Sequence, residues 1–284
     1  PENLRRFISS FNEYIKFFNE ILLIDSSNEN NYLNNLKHFS IYKNFKVIKS
    51  NPSSSLQRNV GIEIANKKND YFMFCDDDII LEKNSLYIMH QFIKTNKSFI
   101  GYGFNLIEKK ENKLIDKIKK KKILVNTGFY HFNPGVVCDN GWHTKIVNCE
   151  QNFETKWLST QACIYKSDYI KKSRFNTKLG KYSYLEDLFF SYEMSKKGKL
   201  IVCSKSIYYS KNFIERKSFD FGYQEAVNRY LFVQQNHLNK FKFYISIFLK
   251  SLFTLFKVLR GKLIFFPKFF GNIIGIISCI TKRK

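Results

Sequence analysis

Residues 71–80 read YFMFCDDDII. An aromatic and apolar run, typical of a buried strand, ends in the adjacent residues Asp76, Asp77 and Asp78. Neighbouring carboxylates repel one another and raise one another's pKa unless a positive group lies between them. Carboxylate oxygens are also the ligands that Mg²⁺ and Mn²⁺ prefer. The stretch is therefore either a cation site at the end of a strand or a solvated acidic turn.

Short apolar runs alternate with helical patterns around these aspartates. Strands are predicted at residues 20–24, 45–48 and 71–75, and helices at residues 32–39 and 56–65. The alternation predicts an α/β fold with a mostly parallel central sheet flanked by helices. Ligands of such sheets bind at the carboxyl ends of the strands, where Asp25 and the three aspartates lie. This placement favours the cation site over the acidic turn.

The second half of the chain continues the same alternation. Further strands are predicted at residues 98–104, 156–165 and 200–203, and a helix runs from Glu186-Asp187 to Gly198. Acids in the first turn and a glycine after the last turn are typical helix boundaries. The lysine-rich residues 110–122 are predicted to form a solvated loop.

The charge balance is unusual for a chain of 284 residues. It carries 47 Lys and Arg against 24 Asp and Glu, a formal net charge of +23. Such an excess indicates an anionic partner, whether a nucleic acid, an anionic membrane surface or a phosphorylated substrate. The six cysteines form no C-x-x-C pair, which indicates neither a zinc site nor a disulfide framework and fits a reducing cytosol.

The order of several motifs resembles the family 2 glycosyltransferases of the GT-A fold. These motifs are Asp25 after a strand, Gln57-Arg58-Asn59 at a helix start, Asp76-Asp77-Asp78, Trp157-Leu158-Ser159 and Glu186-Asp187. The ordered combination is more specific than any one motif, because a lone D-x-D is common. The resemblance covers residues 1–235, with a donor half at about residues 1–105 and an acceptor half at about residues 106–235.

The resemblance implies an inverting, hexosyltransferase-like enzyme that uses a nucleotide-diphospho-sugar donor. Asp187 would be the general base that takes the proton of an acceptor hydroxyl, and Glu186 would orient it. A divalent cation, Mn²⁺ or Mg²⁺, would be held by Asp76 and Asp78. The implied donor-binding residues are Asp25, Arg58, Asn59, Asp76 and Asp77, and the implied acceptor-binding residues are Trp157 and Tyr184.

Some positions depart from the pattern of the family. Glycines are common where this chain has Thr160 and Leu185, and residues 207–210 lack the histidine that many members carry after the last strand. The resemblance also places the start of the chain in the helix that follows the first strand of the family. We therefore expect this chain to lack that strand.

Residues 236–284 form a basic, aromatic-rich tail. Their longest uncharged apolar run, residues 269–281, is shorter than the roughly 18 residues that a confident transmembrane helix requires. Basic amphipathic helices of this kind are typical of membrane interfaces, and packing on the catalytic domain is the alternative. We expect a peripheral protein on the cytoplasmic face of the cell membrane, acting on a lipid-linked or cell-surface glycan in polysaccharide biosynthesis.

Two other functions remain open at this point. The net charge of +23 and the 17% aromatic content also fit a nucleic-acid-binding protein, although no nucleic-acid-binding module is recognisable and no nucleic acid partner is expected. A non-catalytic, truncated relative of the transferases is the second alternative.

Overall fold

The computed structural model describes residues 2–40, 42–108, 122–180, 182–210 and 216–281. The chain forms two compact units. Residues 1–109 and 146–212 make up the first, which we call the sheet unit, and residues 110–145 and 213–284 make up the second, the helical unit. The predicted basic loop at residues 110–122 lies outside the described residues, except for Lys122.

The sheet unit contains the strands and most of the short helices. Its strands are β1 (Ile21–Asp25), β2 (Phe45–Lys49), β3 (Tyr71–Cys75), β4 (Ile79–Leu81), β5 (Gly101–Leu106), β6 (Phe153–Thr155), β7 (Ala162–Lys166) and β8 (Leu200–Ser210). Its α-helices are α1 (Glu2–Ser10), α2 (Glu29–Phe39), α3 (Ser54–Ile64), α4 (Ser85–Thr95), α6 (Ser167–Ile170) and α7 (Glu186–Lys197). Short 3₁₀ helices cover Asn12–Phe17 and Thr177–Leu179.

The strands form two sheets. Strands β1 and β2 pair in parallel as a sheet of their own. The second sheet has the order β3-β7-β5-β8-β4, and β6 also pairs with β8. In it β5 and β8 are parallel, while β7, β4 and β6 run antiparallel to their neighbours. The predicted α/β class is confirmed, and the sheet is mixed.

The expected lack of the family's first strand stays a prediction. Within the described residues no strand joins the β1–β2 sheet to β3. The side chain of Gln57 instead donates a hydrogen bond of 2.8 Å to the carbonyl of Ile24 in β1.

One predicted strand is wrong. Residues 156–165 do not form a continuous strand, because a loop at residues 156–161 separates β6 from β7. The hydroxyl of Thr155 donates to the carbonyl of Trp157 over 2.9 Å, and the amide of Gln161 donates to Ser159 over 3.4 Å. Such local bonds between side chain and backbone compete with a strand ladder.

Helix α3 begins at a capped turn. The hydroxyl of Ser53 accepts a hydrogen bond from the amide of Leu56, which satisfies one of the free donors at the helix start. The helix buries Ser55 and Ile62, whereas Ile64 near its end is 43% exposed. The inward face of α3 is therefore partly polar, as expected of a helix whose start lies in a functional site.

The helical unit consists of α5 (Lys122–Asn126), α8 (Phe219–Gln235), α9 (Lys240–Leu259), a 3₁₀ helix (Leu263–Phe265) and α10 (Phe266–Thr281). Helices α8 and α10 approach closely through small residues. A Cβ atom added to Gly271 would lie 2.1 Å from the carbonyl oxygen of Phe219, and one added to Gly222 would lie 2.2 Å from that of Lys268. Only glycine permits this approach, which is common between membrane helices.

The two units divide the chain differently from the predicted domains at residues 1–235 and 236–284. The predicted boundary follows the motif order along the chain, whereas the units follow packing. Because α8 packs on α10, residues 219–235 belong to the same unit as the tail helices.

One stretch of the described residues, Leu263–Thr281, has the length and apolar composition of a membrane-spanning helix. This is weak evidence, since the core helix of a soluble protein can have the same properties. Lys268 interrupts the stretch, so the uncharged run remains short, as the sequence analysis noted.

Candidate active site

The three aspartates form the turn between β3 and β4. The amide of Asp76 donates to the carbonyl of Gln161 over 3.1 Å, which attaches the turn to the loop before β7. The Oδ1 atom of Asp78 is buried and has no hydrogen-bond partner. Burial, followed by the nearby Asp76 and Asp77, raises the pKa of Asp78 above its ordinary value. Among the described residues, the main influences on the Asp78 carboxylate are therefore burial and other carboxylates, and both disfavour its charge.

Arg58, at the start of α3, links the aspartate turn to the start of α7. One of its guanidinium nitrogens lies 2.7 Å from Oδ1 of Asp76, and another pairs with Oε1 of Glu186. The Arg58 side chain is 13% exposed. Burial works against the charged guanidinium, but the two carboxylates outweigh it and raise the pKa of Arg58. The structure thus joins three residues that the sequence placed in separate motifs.

Glu186 has a second polar partner. The hydroxyl of Thr160 donates to Oε1 of Glu186 over 3.2 Å, and the Thr160 residue is buried. Burial raises the pKa of Glu186, and Arg58 acts in the opposite direction. Thr160, which the sequence analysis noted only as a departure from the pattern of the family, thus contacts the carboxylate next to Asp187 in the chain.

The start of α7 has an unusual backbone. Ser183 and Leu185 both have positive φ angles, 50° and 74°, in the left-handed region that favours glycine. The hydroxyl of Ser183 lies 3.1 Å from that of Ser53 and also accepts from the amide of Ser55 over 3.4 Å. This clamp fixes the first turn of α7, and with it Asp187, against the start of α3.

Asp187 lies in the first turn of α7. Its Oδ1 atom accepts a hydrogen bond of 2.7 Å from the amide of Leu188. A carboxylate at this position is stabilised in its ionised form by the helix dipole and by free amide groups. The position suits a group that must accept a proton.

Asp25 is the last residue of β1, and its carboxylate accepts hydrogen bonds from the following loop and from α2. Its two oxygens accept from the amide of Ser27 over 2.7 Å and from the side chain of Asn35 over 2.8 Å. Burial opposes ionisation, but these hydrogen bonds prevail and lower the pKa of Asp25. Asp25 is thus held as an anion, with hydrogen bonds to residues other than Arg58.

The structure also describes three further predicted site residues, Asn59, Trp157 and Tyr184. The side-chain amide of Asn59 exchanges two hydrogen bonds with the backbone of Phe175, of 2.9 and 2.7 Å. The Trp157 residue is 5% exposed, and Tyr184 is half-buried. Donor binding by Asn59 and acceptor binding by the two aromatic residues stay predictions.

Two aromatic rings pack beside the Arg58 side chain. The rings of Phe175 and Phe190 stack at 3.9 Å, and the guanidinium of Arg58 lies 5.6 Å from the centre of the Phe175 ring. Phe190 belongs to α7, so this contact couples α7 to the loop that Asn59 holds. The support explains how a buried arginine keeps one orientation.

Sequence reasoning missed the supporting contacts of Thr160, Gln161 and Ser183. Thr160 was recognised only as a departure from the family pattern. Its role depends on the pairing of β3 with β7, which sets Cys75 opposite Ala162 and brings the preceding loop beside Asp76. No local signal in the sequence reports that register.

No group of three or more His, Cys, Asp or Glu side chains is arranged to hold a metal ion in the part of the chain that the structure describes. Asp76 and Asp78 are two carboxylates, and Asp76 is already paired with Arg58. A cation at this turn would need further ligands from a bound molecule.

Residues 1–150 match the sequence profile of Glycosyl transferase family 2. The chain belongs to this family. It is a glycosyltransferase with the GT-A fold, as the motif order predicted. Among curated proteins, none matches the chain.

Of two solved structures with detectable similarity, one supports this fold. The crystal structure of S. aureus TarS 1-349 is similar, with a TM-score of 0.55 and 18% identity, over 99% of this chain and 79% of that one. A197 from STIV gives a TM-score of 0.36 and 14% identity over 68% of this chain and 84% of that one. The first likeness concerns the fold alone, and the second is too weak to support an argument.

Proposed function

We propose that this glycosyltransferase moves a sugar, as a hexosyltransferase-like enzyme, from a nucleotide-diphospho-sugar to a hydroxyl group of a glycan, with inversion at the anomeric carbon. The observation that carries the proposal is the bridge of Arg58 between Asp76 and Glu186. The bridge brings the donor-side turn and the acceptor-side helix start into one cluster, as a single displacement between two bound substrates requires.

Asp187 acts as the general base in this proposal. It takes the proton of the acceptor hydroxyl while that oxygen attacks the anomeric carbon from the face opposite the diphosphate. The bond between the anomeric carbon and the diphosphate oxygen breaks, and the nucleoside diphosphate leaves with the bonding electrons. Glu186, held by Arg58 and Thr160, orients the first turn of α7.

Asp76 and Asp78 would hold a divalent cation, Mn²⁺ or Mg²⁺, together with oxygens of the donor. The buried, unpartnered Oδ1 atom of Asp78 fits this role, because a cation would satisfy it and relieve the repulsion within the turn. When bound, such a cation would neutralise the charge that develops on the leaving diphosphate.

The remaining predicted residues complete the two substrate sites. Asp25 keeps acceptor capacity for a donor group on the nucleobase, and Asp77, which is exposed, lies beside the cation ligands. The acceptor is proposed to be a lipid-linked or cell-surface glycan, near Trp157 and Tyr184, in polysaccharide biosynthesis. The basic composition of residues 236–284 is the reason for placing the enzyme at the cytoplasmic face of a membrane.

Thermal shift with nucleotides tests donor binding. The full chain is mixed with UDP, GDP, TDP or CMP, with and without Mn²⁺, beside the variants Asp78→Asn and Asp168→Asn. Asp168 is an exposed acid in α6, so it controls for the loss of a charge. We expect one nucleotide to raise the melting temperature in the presence of Mn²⁺, in the wild type and in Asp168→Asn only.

Absence of any shift would contradict donor binding by this chain. A shift that does not need Mn²⁺ would support the nucleotide site and contradict the proposed role of the cation. Transfer of a labelled sugar from the matching donor, with the anomeric configuration read by NMR, then tests inversion.

A further inference from the structure

We propose that the exposed apolar sides of α9 and α10, with the turn between them, dock onto the surface of a bilayer that contains anionic lipids. We call this surface the docking face. It specifies the membrane contact of the proposed location and is independent of donor chemistry.

Helix α9 has two opposite sides. Phe243, Ile247 and Val258 are buried within the helical unit. On the other side Phe248 and Phe256 are 54% and 51% exposed. A soluble helix normally turns polar residues outward, so an outward side rich in large apolar residues indicates a partner surface.

Helix α10 repeats this arrangement. Phe270 and Ile277 are 45% and 50% exposed, while Gly271 and Gly275 lie against α8. The close backbone contact prevents α10 from rotating, because any larger residue on the inner side would collide with α8. The apolar side of α10 therefore cannot be buried by repacking within the unit.

Charge favours an anionic bilayer over a second copy of the chain. Residues 226–284 contain eleven Lys and Arg residues and no Asp or Glu. Seven of these cations remain after the buried Arg229 is set aside with Lys242, Lys250 and Lys268, which pair with Asp139 or Glu225. Two such segments would bring many like charges together, whereas lipid phosphates complement them. Two of the cations also lie over apolar rings, since Arg260 is 4.4 Å from the centre of the Phe256 ring and Lys257 is 4.4 Å from that of Phe265. This pairing suits a headgroup boundary.

The polar contacts of α10 favour an interfacial position over a spanning one. Asn272 donates to the carbonyl of Gly222 over 2.9 Å, and Lys268 lies 3.3 Å from Oε2 of Glu225. A spanning α10 would have to carry these partners into hydrocarbon or lose them, at considerable cost. We therefore expect α9 and α10 to lie along the surface.

Vesicle flotation of the full chain tests the docking face. The vesicles are phosphatidylcholine alone or phosphatidylcholine mixed with phosphatidylglycerol. The triple variant Phe248→Ser, Phe256→Ser and Ile277→Ser is compared with the control Leu33→Ser, Leu36→Ser and Tyr87→Ser, which removes equally exposed apolar residues of the sheet unit. Circular dichroism and melting temperature show whether each variant is folded.

We expect the wild type and the control to float with the phosphatidylglycerol vesicles, and high salt to weaken binding. The face variant should bind at least about tenfold more weakly. If that variant does not fold, Phe256→Trp replaces it, with the expectation of a blue-shifted emission that brominated lipids quench.

Three results would overturn the proposal. The first is equal loss of binding in both triple variants, or binding that does not depend on phosphatidylglycerol. The second is a dimer that the face variant disrupts, without vesicle binding by the wild type. The third is resistance of bound protein to alkaline carbonate, which would indicate a spanning helix. None of them bears on nucleotide binding by the sheet unit.

Discussion

Each unit of the molecule contains a buried cluster of charged side chains, and the two clusters differ in their ratio of acidic to basic groups. In the sheet unit Arg58 lies between Asp76 and Glu186, and further carboxylates follow on both sides. In the helical unit Glu225 lies between two cations, with its oxygens 2.6 Å from Lys250 and 3.3 Å from Lys268. The first cluster has an excess of acid, and the second has an excess of base around a single acid.

The pKa values of the acids report this difference. Burial raises the pKa of Asp78, and its acidic neighbours raise it further. Glu225 is more deeply buried, yet Lys250 and Lys268 outweigh the burial and lower its pKa to about 2. A buried cluster in which every charge has an opposite charge beside it has a structural role, because removing one partner would leave the other buried and unpaired. A cluster that leaves a carboxylate uncompensated is prepared for a cationic partner, which is the pattern of a functional site.

The largest expected effect concerns catalysis. Asp187→Asn removes the proposed base and leaves the bridge of Arg58 between Asp76 and Glu186 in place. We expect the rate of sugar transfer to fall by about 10²–10⁴-fold, because that is the usual contribution of general base catalysis. The melting temperature should change little. Glu193→Gln in the same helix, measured in the same transfer assay, should keep its activity. Equal loss in both variants would contradict the assignment of the base.

The next effect concerns stability. Glu225→Gln leaves Lys250 and Lys268 without a counter-charge, and we expect it to lower the free energy of unfolding by about 3–5 kcal/mol. Chemical denaturation measures this. Glu154→Gln breaks an exposed pair with Lys199 and should cost less than about 1 kcal/mol. Similar costs for the two variants would mean that the helical cluster is not structural.

The contribution of Glu225 should depend on pH. Its pKa is about 2 in the folded chain, against an ordinary value of 4.5. The ionised form is therefore favoured by folding, so the stabilisation is complete above about pH 4.5 and is lost as the pH falls toward 2. The linkage amounts to about 3 kcal/mol. Denaturation of the wild type and Glu225→Gln at several pH values should show a difference that shrinks in acid. A difference that grows in acid would reverse the assigned sign.

The smallest effect is expected at Asp78. Asp78→Asn removes a charge that burial and the neighbouring carboxylates disfavour, so the chain without ligands should become slightly more stable, by less than the cost expected for Glu225→Gln. Thermal unfolding in the presence of a chelator measures this. A lower melting temperature would indicate that the Asp78 carboxylate supports the fold, and the contrast between the two clusters would weaken.

The sequence predicted the features that depend on neighbouring residues. The aspartates at the ends of β1 and β3 and the acidic start of α7 follow from apolar runs and helix boundaries that can be recognised locally. The partners of Arg58 could not be predicted, because Glu186 is 128 residues away in the chain. The packing of α8 on α10 was also missed, since it depends on how closely two distant helices approach through Gly222 and Gly271.

The left-handed Leu185 has a consequence for how the base can be altered. A leucine at φ 74° stores roughly 1–3 kcal/mol of backbone strain, which a glycine would release. The side chain is buried, however, and its removal would leave a cavity that costs a comparable or larger amount. Backbone strain and side-chain packing therefore oppose each other, and the packing of Leu185 keeps its backbone in the left-handed conformation. Because Leu185 immediately precedes the first turn of α7, which carries Asp187, a substitution here would change the support of the proposed base as well as the stability of the chain.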